Sequence, residues 1–182
     1  MPLRPARCYR RIDTPPYTRK EYIAGVPNPK ITKFDFGNSK AKFEYQLDFV
    51  VDERGQVRHN SLESARMAIH KTLSSLGEEN YFFKVRKYPH QVLRENRMMA
   101  FAGADRMQQG MRLSFGKPTG LAIRVKKGDV VFSVFVNEQG LSVAKRALKI
   151  AQAKFPLPST IMLKKNMKKD GVNNGNSTDN RQ

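Results

Sequence analysis

The 182-residue chain is short of cysteine, of acids and of long apolar runs, and each shortage removes a class of protein. Cys8 is the single cysteine, so no disulfide can form within the chain, and a reducing, cytoplasmic setting fits. No stretch approaches the roughly 18–20 apolar residues that span a membrane. The basic start MPLRPARCYRRIDTPP also lacks the apolar segment of a secretory leader, so no membrane partner is expected. His59, His70 and His90 lie far apart, without cysteine or carboxylate at ligand spacing, which argues against a zinc site. Asp and Glu together number 16, too sparse to nominate a general acid and base. The nearest thing to a phosphate-binding loop runs from Gly110 to Lys117, and it fails in detail. Five residues separate Gly110 from Gly116 where four are required, and Pro118 stands where a Ser or Thr must reach magnesium. No catalytic residue, metal, cofactor or self-association is expected.

What the chain does have is positive charge. Lys and Arg number 34, and the formal net charge is +18. Such an excess repels itself in a compact state and makes sense beside a polyanion, with nucleic acid the leading candidate. The hydrophobic share of 39% suffices for one modest core. One domain with extended ends is the simplest division of this length.

Residues 1–30 carry six prolines, at 2, 5, 15, 16, 27 and 29, a density that forbids helix and strand ladders. Arg4, Arg7, Arg10, Arg11, Arg19 and Lys20 alternate there with Tyr9, Tyr17 and Tyr22. Arginine forks onto phosphate and tyrosine stacks on exposed bases, so an extended arm that orders on RNA is expected.

Residues 31–163 read as a single α+β domain. Ile31, Phe34 and Phe36 suggest a short strand ending at Gly37-Asn38. Phe43, Tyr45, Leu47, Phe49 and Val51 alternate with Glu44, Gln46, Asp48 and Val50, which predicts a half-buried strand. Glu53-Arg54-Gly55 reads as a turn into a partner strand beginning Gln56-Val57-Arg58. Asn60 and Glu63 have capping-box spacing, and Leu62, Ala65, Ile69, Leu73 and Leu76 follow at helical intervals up to Gly77. Two strands are expected around Tyr81–Val85 and Val92-Leu93, with a bend at Tyr88-Pro89-His90. Leu121, Ile123 and Val125, the turn Lys127-Gly128-Asp129 and VVFSVFV look like a hairpin. A second helix is predicted from about Gln139 to Lys154, with a seam of Leu141, Ala144, Leu148, Ala151 and Phe155, thickened by Val143, Ala147 and Ile150. Pro156 and Pro158 stop it, and 159–163 can add a last strand. The two helices are expected on one sheet face, leaving the other to meet RNA. Residues 164–182 begin with lysines and decay into NNGNSTDNRQ, a tail expected to order only on a partner.

The stretch 102–120, AGADRMQQGMRLSFGKPTG, has no usable period and is broken by glycines. Long structureless loops inside compact domains are usually functional or disordered. Arg106, Arg112 and Lys117 face one acid, Asp105, and Gln108 and Gln109 sit at the middle. Glycine permits close approach of backbone to a ligand.

This loop, with Ala122, Arg124 and Val125 after it, resembles the internal loop of a ribosomal protein family, and RPARCYRRIDTPPYTRKEYIAGVPNPKI at 4–31 resembles the same family's opening. The family is the universal large-subunit protein L-sixteen, in its archaeal and eukaryotic branch L-ten-e, and the resemblance covers about residues 2–165. It implies an α/β-hammerhead-like fold: a mixed, mainly antiparallel sheet with two helices packed on it. It implies a structural role in the large subunit, on large-subunit rRNA near the peptidyl-transferase centre and the five-S rRNA side, among neighbouring ribosomal proteins. The internal loop would point toward the tRNA acceptor stem through Gly103, Asp105, Arg106, Gln108, Gln109, Gly110 and Arg112, with Ala104 and Met111 between them. The rRNA contacts would come from Arg4, Arg7, Arg10, Arg11 and Lys20, with Arg19, Lys117 and Arg124 added from the basic pattern. Leu113-Ser114 departs from the small pair that many relatives carry, which bears on the loop's path. An assembly or regulatory RNA-binding factor is the alternative reading. Removing residues 1–20 should weaken incorporation into rRNA particles in a co-sedimentation assay, and unchanged incorporation would demote the arm to a passive leader.

Overall fold

Aliphatic and aromatic residues at every second position build the strands. The computed structural model describes residues 4–13, 20–96, 112 and 114–166. Among these, eight strands form two antiparallel sheets: β1 (Asp35–Gly37), β2 (Tyr45–Val51), β3 (Gly55–Arg58), β4 (Tyr81–Val85), β5 (Gln91–Glu95), β6 (Lys117–Val125), β7 (Val130–Val136) and β8 (Ser159–Lys165). The five-stranded sheet runs β1-β4-β7-β2-β8, and the three-stranded sheet runs β3-β6-β5. Two helices, α1 (His59–Leu73) and α2 (Leu141–Lys154), pack against each other. The α+β expectation with two helices therefore holds.

Both helices join one core. Leu62, Ala65, Ile69 and Leu73 of α1 and Ala144, Ala147, Leu148 and Ala151 of α2 are fully buried. They meet Leu47, Phe49, Val51, Phe83, Phe132 and Val134 from the large sheet and Val57, Ile123 and Val125 from the small one. Phe49 centres an aromatic cluster, with edge contacts to Phe132 at 5.6 Å and Phe155 at 5.3 Å. Such pairs add about 0.5–1.5 kcal/mol each beyond the area they bury. Ile150, assigned to the seam, is 38% exposed instead, because the seam is already filled by Ala147 and Ala151.

The strand partners differ from the sequence expectation at two places. β3 does not pair with β2, and β6 and β7 are not a hairpin. The chain changes sheets between β2 and β3, through α1 between β3 and β4, between β4 and β5, and between β6 and β7. At the last crossing the Lys127-Gly128-Asp129 turn is held by the end of β2. Gly128 N–H donates to Val51 O at 2.8 Å, and Val51 N–H donates to Asp129 O at 3.0 Å. The Asp129 carboxylate accepts from Lys126 N–H at 2.9 Å and from Lys87 Nζ at 2.8 Å. Turn residues show that the chain reverses, not which sheet it enters.

β2 is also more enclosed than its alternation predicts, since Leu47 through Val51 are all buried. Asp48, on the face away from the helices, is 1% exposed. It accepts from Gln46 at 2.8 Å, Ser133 at 2.6 Å and Lys164 at 2.9 Å. Burial alone would raise its pKa, and these three bonds override that and hold it below the usual carboxylate range.

The capping box is absent. Helix α1 starts one residue before Asn60, its cap position Arg58 makes no side-chain cap bond, and Glu63 turns to Arg66 instead. A second guanidinium contact explains the choice: Arg66 lies over the Phe36 ring at 4.9 Å, so the Glu63–Arg66 pair also covers a core aromatic. His70 meets the same ring edge-on at 4.8 Å. At the helix end a short 3-10 turn, Ser74–Leu76, intervenes before Gly77, whose φ of +83° makes the stop.

Gly37 combines φ +81° with a close approach, since a Cβ there would run into the carbonyl oxygen of Tyr81. Gly25 has φ +73° but open space around it. The left-handed conformation alone costs a non-glycine residue about 1–2 kcal/mol. Gly25→Ala should lose about that much in urea unfolding, and Gly37→Ala should lose more. Equal losses would show that backbone conformation, not the Tyr81 contact, fixes Gly37.

Candidate nucleic-acid interface

Proline leaves the N-terminal backbone without ladder bonds, so the arm needs other anchors. It finds them on the small sheet. Gln56 N–H, on the open edge of β3, donates to Arg10 O at 2.9 Å, and Gln56 Nε2 donates to Tyr9 O at 3.1 Å. Arg58 donates to Arg4 O at 2.7 Å, and its guanidinium lies 5.5 Å from the Tyr9 ring centre. Two acids complete the dock: Arg4 Nε pairs with Glu95 at 2.6 Å, and Arg10 pairs with Glu53 at 2.8 Å. Glu95 is the stronger anchor, because its side chain is only 8% exposed while both partners of the Arg10 pair are open to solvent. Tyr9 Oη also donates to Glu95 at 3.4 Å, and burial followed by the Glu95 charge raises its pKa.

The arm residues named from sequence thus divide. Arg4 and Arg10 engage acids of the body, while Arg7 and Arg11 are exposed. Lys20 opens a 3-10 turn, Lys20–Tyr22, whose Tyr22 is 78% exposed. Arg19 lies outside the described residues. Lys117 is exposed at the start of β6, opposite Glu95, so the last four positions of the 102–120 stretch are strand and not loop. Arg124 is half-buried on β6 and donates from Nε to Gln56 Oε1 at 3.3 Å. Of the loop positions, Gly103, Asp105, Arg106, Gln108, Gln109 and Gly110 lie outside the described residues, and Arg112 is exposed. Just before Lys117, a Cβ on Gly116 would sit 2.8 Å from the Glu95 carbonyl carbon, so β5 and the returning chain are in close contact there. Beside them the Arg94 guanidinium lies 4.0 Å from the ring centre of Phe115, which is 78% exposed.

Sequence reasoning passed over a second group of cations, Arg86 and Lys87 at the β4–β5 crossing. The run KVRKYPHQ holds the signal, basic residues followed by Tyr88 and His90, but Arg86 and Lys87 are not among the contacts expected from sequence. Among the described residues no cluster of three or more His, Cys, Asp or Glu could hold a metal ion, and no helix is long and apolar enough to cross a membrane.

The described body is an α+β scaffold in which Asp35, Asp48, Glu53, Glu63, Glu95 and Asp129 are paired with cations of the chain, while Arg7, Arg11, Arg112 and Lys117 are exposed. Exposed cations in such excess suit contact with a polyanion. The family model described as Ribosomal protein L16p/L10e matches residues 12–162. A large ribosomal subunit protein uL16 from Staphylothermus marinus is 56% identical over 165 residues, covering 90% of this chain and 95% of that protein. Those of Hyperthermus butylicus and Sulfolobus acidocaldarius are 57% and 55% identical, each over 88% of this chain and 93% of the relative. The chain belongs to the ribosomal protein L16p/L10e family, whose members are structural proteins of the ribosome and not enzymes.

His59 links the arm's end to α1. Its ring is 7% exposed as part of the residue, and Nδ1 accepts from Lys30 N–H at 3.3 Å. Burial first, then the charges of Lys30 and Arg58, hold its pKa below the ordinary value. The unfolded chain therefore takes up the proton at about 6.5, before the folded one does. Stability from the neutral ring is fully present above that pH and is lost as pH falls toward the folded value. Urea unfolding at pH 7 and 5 should show the loss, and His59→Gln should flatten it. An unchanged slope in the variant would assign the effect to other groups.

Proposed function

We propose that the chain is a structural constituent of the large subunit of the cytoplasmic ribosome, bound to large-subunit rRNA near the peptidyl-transferase centre. The residues 102–116 approach tRNA, and the five-S rRNA region and neighbouring ribosomal proteins are further partners. The observation that carries the reading is the L16p/L10e family match across residues 12–162. The cation surplus supports it: with 34 Lys and Arg against 16 acids, most basic side chains have no acid to meet within the chain. Residues 1–30 act as the arm and 31–165 as the RNA-binding body, since β8 carries it two residues past the boundary expected at 163, and 166–182 act as a tail that orders on a partner. Arg7, Arg11, Arg19, Lys20, Lys117 and Arg124 contact rRNA phosphates, and Arg4 and Arg10 do so with the nitrogens that Glu95 and Glu53 leave over. Each phosphate neutralised steepens the log–log salt dependence by roughly 0.7–0.9. Gly103, Asp105, Arg106, Gln108, Gln109, Gly110 and Arg112 form the part nearest tRNA, where glycine and amide groups allow close backbone contact.

Sedimentation in high salt tests the role. A structural constituent stays with large subunits, whereas an assembly or regulatory RNA-binding factor washes off. Replacing Arg106, Arg112 and Lys117 together by Ala should impair tRNA-dependent steps of translation several-fold while particle assembly stays near normal. If assembly alone suffers, the loop is an rRNA anchor and the tRNA role is wrong.

A further inference from the structure

Where β4 gives way to β5, the chain crosses from one sheet to the other and leaves a cleft of about 360 Å³, lined by Arg86, Lys87, Tyr88, His90 and Arg124 among others. That volume is in the roughly 300–1,000 Å³ range of small-ligand sites. The lining contains no acid. Lys87 is balanced by Asp129 at 2.8 Å. The two arginines are not balanced. Arg86 engages only Nε, on Ser133 Oγ at 2.5 Å, and Arg124 only Nε, on Gln56 Oε1 at 3.3 Å. Each is held by one nitrogen, and the Nη atoms of both have no partner among the described residues. A guanidinium fixed at Nε keeps its outer edge for a forked anion such as phosphate.

The other wall is aromatic. Phe34 packs on the core, Tyr88 lies 5.6 Å from it at 33°, and His90 lies 4.8 Å from Tyr88 at 55°. The ladder ends at His90, which is exposed. Pro89 between them is buried, which fixes the backbone that presents both rings. A row of tilted rings beside two half-used guanidiniums offers a nucleotide both of its needs: an aromatic surface for the base and cations for the phosphate. An acidic peptide would use the arginines and leave the rings without a role.

We propose that this cleft captures one unstacked nucleotide of RNA, its base on the outer end of the Phe34–Tyr88–His90 ladder and its phosphate between Arg86 and Arg124. The inference rests on the rRNA-binding role proposed above and adds a nucleotide-specific contact outside the arm and the loop. It also makes the crossing between the sheets part of the interface.

The test uses the full chain, rebound to large subunits of Sulfolobus acidocaldarius stripped of their own uL16. Ultraviolet crosslinking with mass spectrometry should join the peptide holding Tyr88 and His90 to one RNA position. His90→Ala should abolish that crosslink and weaken rebinding by about ten-fold, the scale of one lost base stack, while His90→Phe should stay within about two-fold. Arg124→Gln should lower the salt slope by roughly 0.7, one phosphate of an unpaired strand. His90 is exposed and, among the described residues, its ring meets only that of Tyr88, so its replacement leaves the fold intact, and matching thermal unfolding curves check this. If the wild-type chain rebinds and the variants rebind equally with no crosslink from this peptide, the cleft proposal is overturned and the ribosomal role stands. Crosslinks from the peptide to a neighbouring protein overturn it in favour of a peptide occupant. If the wild-type chain fails to rebind at all, both readings fall.

Discussion

Scarcity of carboxylates governs this structure. With 16 acids among 34 strong bases, each acid that folds inward decides which cations become structural and which remain for a partner. Glu95 and Glu53 hold the arm, Asp129 holds the corner between the sheets, Glu63 fixes Arg66 over the core, and Asp48 organises the face of the large sheet away from the helices. These placements differ in strength. Asp48 and Glu95 are shielded from water, so their bonds are little screened, whereas the Arg10–Glu53 and Lys84–Asp35 pairs are exposed and contribute about 0–1 kcal/mol each. The arm is therefore anchored chiefly by Glu95 and by its backbone bonds to Gln56 and Arg58.

The parts of the fold that depend on local spacing were legible in the sequence. The seams of α1 and α2 follow from apolar residues three and four apart, the strand at 45–51 follows from alternation, the strands at 81–85 and 130–136 from apolar runs, and the last strand, expected at 159–163, extends to Lys165. Partner choice was not legible, because it depends on contacts between distant segments. The turn at Gly128 looks like a hairpin turn, and only its bonds to Val51 reveal the sheet crossing. Likewise Asp48 sits at a polar position of β2 and reads as solvent-facing, but Ser133 and Lys164, far along the chain, close over it. The capping box failed because Glu63 had a better partner in Arg66, which the aromatic ring of Phe36 helps to position.

Legibility of the site followed the same division. Charge and proline density marked the arm, but the acids that dock it lie 43 or more residues away and were invisible. Arg124 was named from its basic pattern, whereas its neighbour Arg86 was not, since the two meet only because β4–β5 and β6 come together at the corner. The missing period and the glycines located the loop, family resemblance supplied its expected role, and composition could not separate a binding loop from a merely charged one. The scaffold thus places its cations in three settings: locked to acids, half-engaged through Nε, and open.

β8 lies at one edge of the large sheet and β1, only three residues long, at the other. Met162 and Leu163 on β8 are nearly half exposed, a combination of apolar side chains and a backbone edge with no partner strand among the described residues that invites intermolecular pairing. The next two residues are Lys164, drawn across the sheet to Asp48, and Lys165, 5.9 Å from the Tyr45 ring centre. A second copy approaching in register would bring lysine against lysine along that edge. The same charges that suit a polyanion thus act as gatekeepers against aggregation while the newly made chain is still alone.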